Sequence, residues 1–417
     1  MTSPPLRVLI SGAGIGGPVA AYWLAKAGQE VTVVERADVL RKEGHTVDLR
    51  KEGLRIVEWM GIRDEIDKHT TKEAGLRLVD DRGKVWGILP QSGDASFTSE
   101  VEIVRGVLSN LLYETSKFNV NYLFGTTIDD FTETDDGVTV TLKTRSSGEK
   151  VQKTFDVIIA AEGLYSRTRA KAFNEDITKP ICSLNIFSAA FSLPASETDT
   201  LWANMTFYTK KRMALIRPDG FGRTRVSLSW LDKGPEARTL AHPRTPTETQ
   251  KEYVKSVFQD LQSPIIGRLL EGLAVSDDLY LSEIGQAKAP AWSSGRVVLI
   301  GDTAYCPSAF TGMGTTTSIA GAYVLAAELI RNPKDHKKAF AAYEGQLRPW
   351  IEKVQQLPPG VTSRPESQMG VKFVYWLYYG VSFIVKLGLV SLISRLFPSA
   401  EEVLPLPPVT TFDRSNL

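Results

Sequence analysis

Near the start of the chain, Gly12-Ala13-Gly14-Ile15-Gly16-Gly17 spells GxGxxG in a frame that could do chemistry. The apolar run before it, Arg7–Ser11, reads as a strand. Behind it Ile15, Val19, Trp23 and Ala27 recur every four residues, one buried face of a helix. Pro18 falls in the first turn, where its missing N–H does no harm, and Gly28 follows as a left-handed stop. A second strand, Val31–Val34, leads into Glu35. In this frame Gly12 permits the tight turn, Gly14 lets a pyrophosphate approach the backbone, and Gly17 lets helix and strand pack closely. The helix N-terminus adds unpaired N–H groups and a positive dipole end. Glu35 is placed to accept the ribose hydroxyls of an adenosine half. The chemistry implied is dinucleotide binding; the bland reading, a glycine turn with no ligand, does not account for the surrounding strand–helix–strand frame.

A second constellation lies far along the chain. Arg296–Ile300 is a buried strand leading into Gly301-Asp302, followed by Gly312-Met313-Gly314 and a helix whose Ile319, Tyr323, Ala326 and Leu329 share one face. A carboxylate at a strand end can bind a polyol chain, and a second helix N-terminus can face an anion-forming ring. Two nucleotide-facing termini so far apart fit a long ligand such as FAD better than NAD alone. Read in isolation, the segment would be an ordinary strand–loop–helix.

These motifs need elements to hold them. Residues 101–118 carry Val104, Val107, Leu108, Leu111 and Leu112 at helical spacing, and Val120–Thr144 alternates as strands about the turn Thr134-Asp135-Asp136-Gly137. Phe155–Ala161 reads as one solid apolar strand. Residues 179–290 change character: Ile186–Leu193, Met205–Tyr208, Arg212–Ile216 and Val226–Trp230 are short, β-rich and separated by turn residues, as in an antiparallel sheet. The expected architecture is α/β. A discontinuous, Rossmann-like FAD-binding domain (1–75, 101–178 and 291–357) receives an inserted β-rich α+β substrate domain (76–100 and 179–290), and C-terminal helices and tail follow (358–417).

Composition excludes other classes. With 417 residues the chain is long enough for two domains, and 49 basic against 48 acidic residues leave no field to gather nucleic acid. Two cysteines, Cys182 and Cys306, exclude a disulfide scaffold, and four scattered histidines make a metal site improbable. No signal segment precedes the first strand, so a cytoplasmic protein is expected. Phe373–Phe397 is long enough to cross a bilayer, but Lys386 in its middle and Gly380 and Gly388 favour helices whose apolar faces pack on the protein over a membrane contact. The tail from Pro405 looks irregular.

The motifs, in this order and spacing, resemble the single-component flavoprotein monooxygenases of the p-hydroxybenzoate hydroxylase fold over roughly residues 6–355, and within them the tetracycline-inactivating monooxygenases. The resemblance rests on Ile10–Gly17 with Ala21–Leu24, on Gly44–Leu49, on Glu102–Arg105 and on Gly301–Leu325. It implies bound FAD, NADPH or NADH as reductant, and a C4a-hydroperoxyflavin that passes one oxygen atom from O2 to a small apolar, polycyclic or polyketide-like substrate of secondary metabolism. Residue by residue it implies Glu35 and Arg36 at the adenosine ribose, Asp48 and Arg105 along the FAD, and Asp302 at the ribityl chain. Gly314 and Thr315 would lie at the flavin's pyrimidine side and Arg41 at the reductant. This chain departs from the family at Glu162, where an aspartate is usual, and at Ala309 and Thr316, where proline and asparagine are usual. A non-oxygenating flavoenzyme, or a binding protein with structural or absent FAD, stays open at this point. Cys306 reads as a packing residue and Trp202, Trp230 and Trp292 as core before pocket. Tyr375, Trp376, Tyr378, Phe383 and Leu387 are expected to help close the cleft where substrate meets flavin.

Overall fold

The structure, a computed structural model, describes residues 4–40, 44–90, 101–242, 244–357, 360–387 and 403–413. The chain begins with β1 (Arg7–Ser11), α1 (Gly16–Lys26) and β2 (Glu30–Val34). Val8, Leu9 and Ile10 are fully buried because β1 lies mid-sheet, with β2 on one side and a later strand on the other. Then come β3 (Thr46–Leu49), α2 (Lys51–Trp59), α3 (Arg63–Lys68), β4 (Gly75–Val79), β5 (Val85–Pro90), β6 (Val101–Val104) and α4 (Arg105–Ser116). Residues 101–104 therefore form a strand, not the first turn of the expected helix. Val101, Ile103 and Val104 are β-branched and buried, and β6 pairs antiparallel with β3, Asp48 opposite Glu102.

β7 (Asn121–Leu123), β8 (Thr126–Thr134), β9 (Gly137–Thr144), β10 (Lys150–Phe155), β11 (Val157–Ala160) and α5 (Arg167–Ala172) follow. The apolar run expected over Phe155–Ala161 is broken at Asp156, whose carboxylate accepts from the Arg7 N–H at 2.7 Å and pairs with its guanidinium. The chain there passes from the three-stranded sheet β10-β9-β8 into the central one.

The next stretch holds β12 (Ile181–Pro194), β13 (Ala203–Tyr208), β14 (Arg212–Pro218), β15 (Arg223–Leu231), α6 (Pro235–Leu240), α7 (Thr247–Phe258), α8 (Pro264–Val275) and β16 (Tyr280–Ala287). Its seven-stranded sheet runs β16-β12-β15-β14-β13-β4-β5, antiparallel except where β13 meets β4. Trp230 packs with Phe187, Tyr253 and Phe258 into a core between this sheet and the helices α6–α8.

β17 (Ser293–Ser294), β18 (Val297–Leu299), α9 (Asp302–Tyr305), α10 (Gly314–Arg331), α11 (His336–Val354) and α12 (Gln368–Lys386) complete the elements. The six-stranded sheet β17-β18-β11-β1-β2-β7 is parallel apart from β17. α10 is buried along nearly its whole length against α1, α2 and α11. Residues 403–413 return to this half. Phe412 is fully buried against Trp23 and Tyr323, and the Tyr323 hydroxyl donates to the Pro407 carbonyl at 2.8 Å. The tail expected to be irregular thus supplies a core aromatic.

Candidate FAD site and substrate cavity

The glycine turn is built by steric necessity. Gly12 has φ +111°, its N–H donates to Val34 O, and a Cβ there would lie 2.5 Å from the Ala161 carbonyl oxygen. A Cβ on Gly17 would lie 1.9 Å from Gly12 O. Gly14 differs, since the only atom near its open side is Arg105 Nη2 at 3.8 Å. α1 starts without a side-chain cap, so its N-terminal N–H groups have no side-chain acceptor. Ser109 holds the turn from beneath, donating to Ala13 O and Gly14 O.

Glu35 fixes the turn to β2: its Oε2 accepts from Ala13 N and its Oε1 from Ala37 N, both at 2.9 Å. Arg36 beside it is exposed. Arg105 opens α4, its N–H donating to His45 O and its side chain lying outward toward Gly14. Asp302 starts α9, with Oδ1 buried and unpartnered. Burial raises its pKa, against the opposing charge of Arg105 and a contact with the Cys306 thiol. A Cβ on Gly314 would point to this oxygen at 3.9 Å, and α10 also starts without a side-chain cap. Thr315, next in line, is buried. Asp48 on β3 faces the same loop, where a Cβ on Gly312 would meet its Oδ2 at 2.6 Å. Gly14, Arg105, Asp302, Gly314 and Asp48 therefore come together across a chain of short separations, while Arg41 lies outside the described residues.

The donor set fits FAD. Two uncapped helix starts suit a pyrophosphate and an electron-rich ring edge, and a buried carboxylate oxygen with no partner suits a polyol hydroxyl. Among the described residues no group of His, Cys, Asp and Glu could hold a metal ion.

Glu162, where the resemblance leads one to expect aspartate, has its carboxylate fully engaged. Its carboxylate accepts from Ser11 Oγ (2.5 Å), Ser166 Oγ (2.6 Å), Thr168 Oγ1 (2.7 Å) and Thr168 N (3.0 Å), spanning the end of β1 and the start of α5. These four donors occupy both carboxylate oxygens. Arg169 behind is fully buried, donating to the carbonyls of Thr303, Leu164 and Ile177. Thr316 is also buried, and its Oγ1 accepts from Arg50 N, tying α10 to the end of β3. The Cys306 thiol is raised well above its ordinary pKa, mainly by burial, so it is no thiolate.

Beyond β3 lies a cavity of about 120 Å³, lined by Gly44–Thr46 on one side and by Phe191, Arg217, Arg225 and Tyr280 of the seven-stranded sheet among those on the other. Arg217 anchors it. Nε and Nη2 donate to the two Glu73 oxygens at 2.9 and 3.1 Å, Nη2 also reaches Glu102 Oε2 at 3.1 Å, and Nη1 reaches Thr46 Oγ1 at 3.3 Å. Three carboxylates, Glu73, Glu102 and Asp48, thus crowd one guanidinium, with Arg50 3.6 Å from Asp48. Burial pushes Glu73 up to about 7 and Asp48 to about 6, the neighbouring carboxylates adding to both. His45 is pulled down to about 4 by burial, with Arg105 adding, so its imidazole is neutral near pH 7.

The sequence did not point to Arg217, Glu73, Arg225 or Tyr280. Arg217 falls on the same face of β14 as Leu215, opposite buried Arg212 and Ala214, and no pattern in the strand's sequence marks it. None of the three tryptophans lines the cavity, and Trp230 and Trp292 are core. Among the described residues none of α12 lines it either: α12 packs on β5 and β13, toward the other edge of the sheet. The expectation that Trp376, Phe383 and Leu387 close the cleft is therefore corrected, since all three are exposed.

A family model described as "FAD binding domain" matches residues 5–357. The "Monooxygenase CTB7" of Cercospora beticola is 34% identical over 397 residues, covering 92% of this chain and 94% of that protein. The "Flavin-dependent monooxygenase eupH" of Phoma sp is 35% identical over 411 residues, covering 90% and 91%. Among solved structures, tetracycline destructase Tet(51) superposes with a TM-score of 0.78 at 25% identity, covering 97% of this chain and 100% of that one. Klebsiella pneumoniae HpxO complexed with FAD shares the fold at a TM-score of 0.71 and 18% identity, covering 94% and 99%. The chain belongs to the FAD-binding-domain family and is an FAD-dependent monooxygenase of the single-component, p-hydroxybenzoate hydroxylase type, similar to the tetracycline destructases.

Proposed function

We propose that the enzyme uses NADPH or NADH to insert one oxygen atom of O2 into a small, largely apolar, polycyclic or polyketide-like substrate, releasing the second atom as water. The observation that carries the cofactor placement is the buried, unpartnered Asp302 Oδ1 facing Gly314 and the uncapped start of α10. Gly12, Gly14 and Gly17 with the α1 N-terminus would hold the pyrophosphate, Glu35 and Arg36 the adenosine ribose, and Asp302 the ribityl hydroxyls. Asp48 and Arg105 would lie along the cofactor, Gly314 and Thr315 at its pyrimidine side. When bound and reduced, FAD supplies activation of O2 for transfer of one oxygen atom.

The chain's own groups do the rest. Backbone N–H groups and the dipole at the α10 start stabilise negative charge on a ring placed there. Arg105 adds a cation on the same side. Substrate would sit in the cavity between β3 and the seven-stranded sheet, where neutral His45, Phe191 and Tyr280 give contact area and Arg217 and Arg225 orient an enol or carbonyl oxygen. A tetracycline destructase acts on tetracycline by name, which supports a polycyclic substrate here. A cytoplasmic setting supplies the reductant and keeps Cys182 and Cys306 reduced.

The test is anaerobic titration of the FAD-loaded enzyme with NADPH and with NADH, followed by labelled O2 and tetracycline as probe substrate. Bleaching of the flavin, then one labelled oxygen in the product, is expected. A flavin that neither nucleotide bleaches would overturn the reductant assignment. Reduction followed only by hydrogen peroxide would remove tetracyclines from the substrate class.

A further inference from the structure

α12 has two unlike faces. On one, Val371 and Tyr375 are buried against Leu78, and the Tyr375 hydroxyl donates to Val79 O at 3.0 Å. Ser382 Oγ donates to Ile88 O and accepts from Ile88 N, so the helix is fastened along edge strand β5. On the other face Met369, Phe373, Trp376 and Phe383, followed by Leu387 just past the helix end, are each more than half exposed. Their spacings of four, three, seven and four residues keep them on a single stripe. A stripe of this kind on a helix already anchored by its opposite face is unpartnered surface, not core.

Its charge pattern says what it meets. From Ser367 to Ala400 the sequence holds no acidic residue, while Lys372, Lys386 and Arg395 are basic, in a protein whose charges otherwise balance. Past the stripe the sequence stays mostly apolar, with Leu389, Val390, Leu392, Ile393, Leu396 and Phe397 among Gly388, Ser391, Ser394 and Arg395. No helix among the described residues is long and apolar enough to cross a membrane. α12 ends at Lys386, so the described helix covers only the first part of Phe373–Phe397.

We propose that α12 docks the enzyme on the surface of an anionic lipid bilayer, its Phe373–Trp376–Phe383 stripe entering the headgroup boundary and the exposed Lys372 beside it meeting lipid phosphates. Aromatic side chains with basic neighbours and no acids are the composition of an interfacial helix lying in the membrane plane. The seven-stranded sheet presents that helix from the edge remote from β16, so docking leaves the cavity of Arg217 and Tyr280 free. This surface is independent of what the enzyme oxygenates.

The test is flotation of the full-length, FAD-loaded protein with vesicles of phosphatidylcholine alone or mixed with phosphatidylserine, with light scattering for its oligomeric state. Binding to the serine-containing vesicles, weaker on phosphatidylcholine and at high salt, is expected. The double variant Trp376→Ser, Phe383→Ser should lower the bound fraction by about tenfold or more while keeping FAD. Its side chains are exposed, so retained FAD absorbance reports an intact fold. Absence of flotation with the anionic vesicles, or a double variant that floats like the native chain, would overturn the proposal. So would a native dimer that the double variant turns into monomer, since the stripe would then be a contact between copies of this chain.

Discussion

Asp302→Ala should move two quantities in opposite directions. In the ligand-free chain Oδ1 is buried without a partner, and burial raises the carboxyl pKa despite the opposing charge of Arg105. An unpaired buried acceptor costs about 1–3 kcal/mol, so removing it should stabilise the ligand-free protein by roughly 1 kcal/mol after the small cavity is counted. With FAD present the same oxygen would accept a charge-assisted hydrogen bond worth about 1.5–3 kcal/mol, so the variant's affinity should fall by roughly 10- to 150-fold. Asp302→Asn keeps an acceptor and loses the charge, and its affinity should fall by about tenfold at most. Urea unfolding of flavin-stripped protein reads the first quantity, and fluorescence titration with FAD reads the second. An alanine variant that binds FAD within about twofold of the native chain would remove Asp302 from the site. One that loses affinity and stability together would make it a structural residue.

The two glycines should separate cleanly. Gly17→Ala drives a Cβ into Gly12 O and should unfold the turn, whereas the Cβ of Gly14→Ala meets only Arg105 Nη2, at an ordinary contact distance of 3.8 Å, and should leave the stripped protein as stable as native while weakening FAD binding; thermal unfolding with and without FAD reads both. Glu162→Asp restores the family's usual residue but withdraws the carboxylate from Ser11, Ser166 and Thr168, so urea unfolding should show a loss of about 1–3 kcal/mol rather than a gain. Glu73, raised from 4.5 to about 7, holds a proton in the folded chain that the unfolded chain has already released. Its contribution is therefore full below about pH 4.5 and is lost as pH rises through 7. Between pH ~5 and ~8 the stability of Glu73→Gln should gain on native by about 1–3 kcal/mol, and parallel urea midpoints across that range would contradict the raised Glu73 carboxyl.

What sequence could carry was local. Gly12 and Gly17 are dictated by contacts within one strand–turn–helix and with the end of its neighbouring strand, and Asp302 and Gly314 belong to one strand–loop–helix. Arg217 meets Glu73 across 144 residues and Glu102 across 115, joining three elements that no spacing rule relates. β6 does not read as a strand locally because its β-branched residues owe their state to β3, where Thr46 pairs with Val104 across 58 residues. Pro235 and Pro264 look like breaks in the insert, yet each sits at the start of a helix, where a missing N–H costs nothing. Phe412 gave no periodic signal because it enters the core singly, between Trp23 and Tyr323.

The most direct test is a crystal structure of the purified protein loaded with FAD. The expected result is a ribityl hydroxyl within hydrogen-bonding distance of Asp302 Oδ1, the pyrophosphate against Gly14 and the α1 start, and the ring between Gly314–Thr315 and the cavity of His45 and Arg217. A bound FAD that leaves Asp302 Oδ1 without a partner, or that lies away from Gly14, would contradict the account.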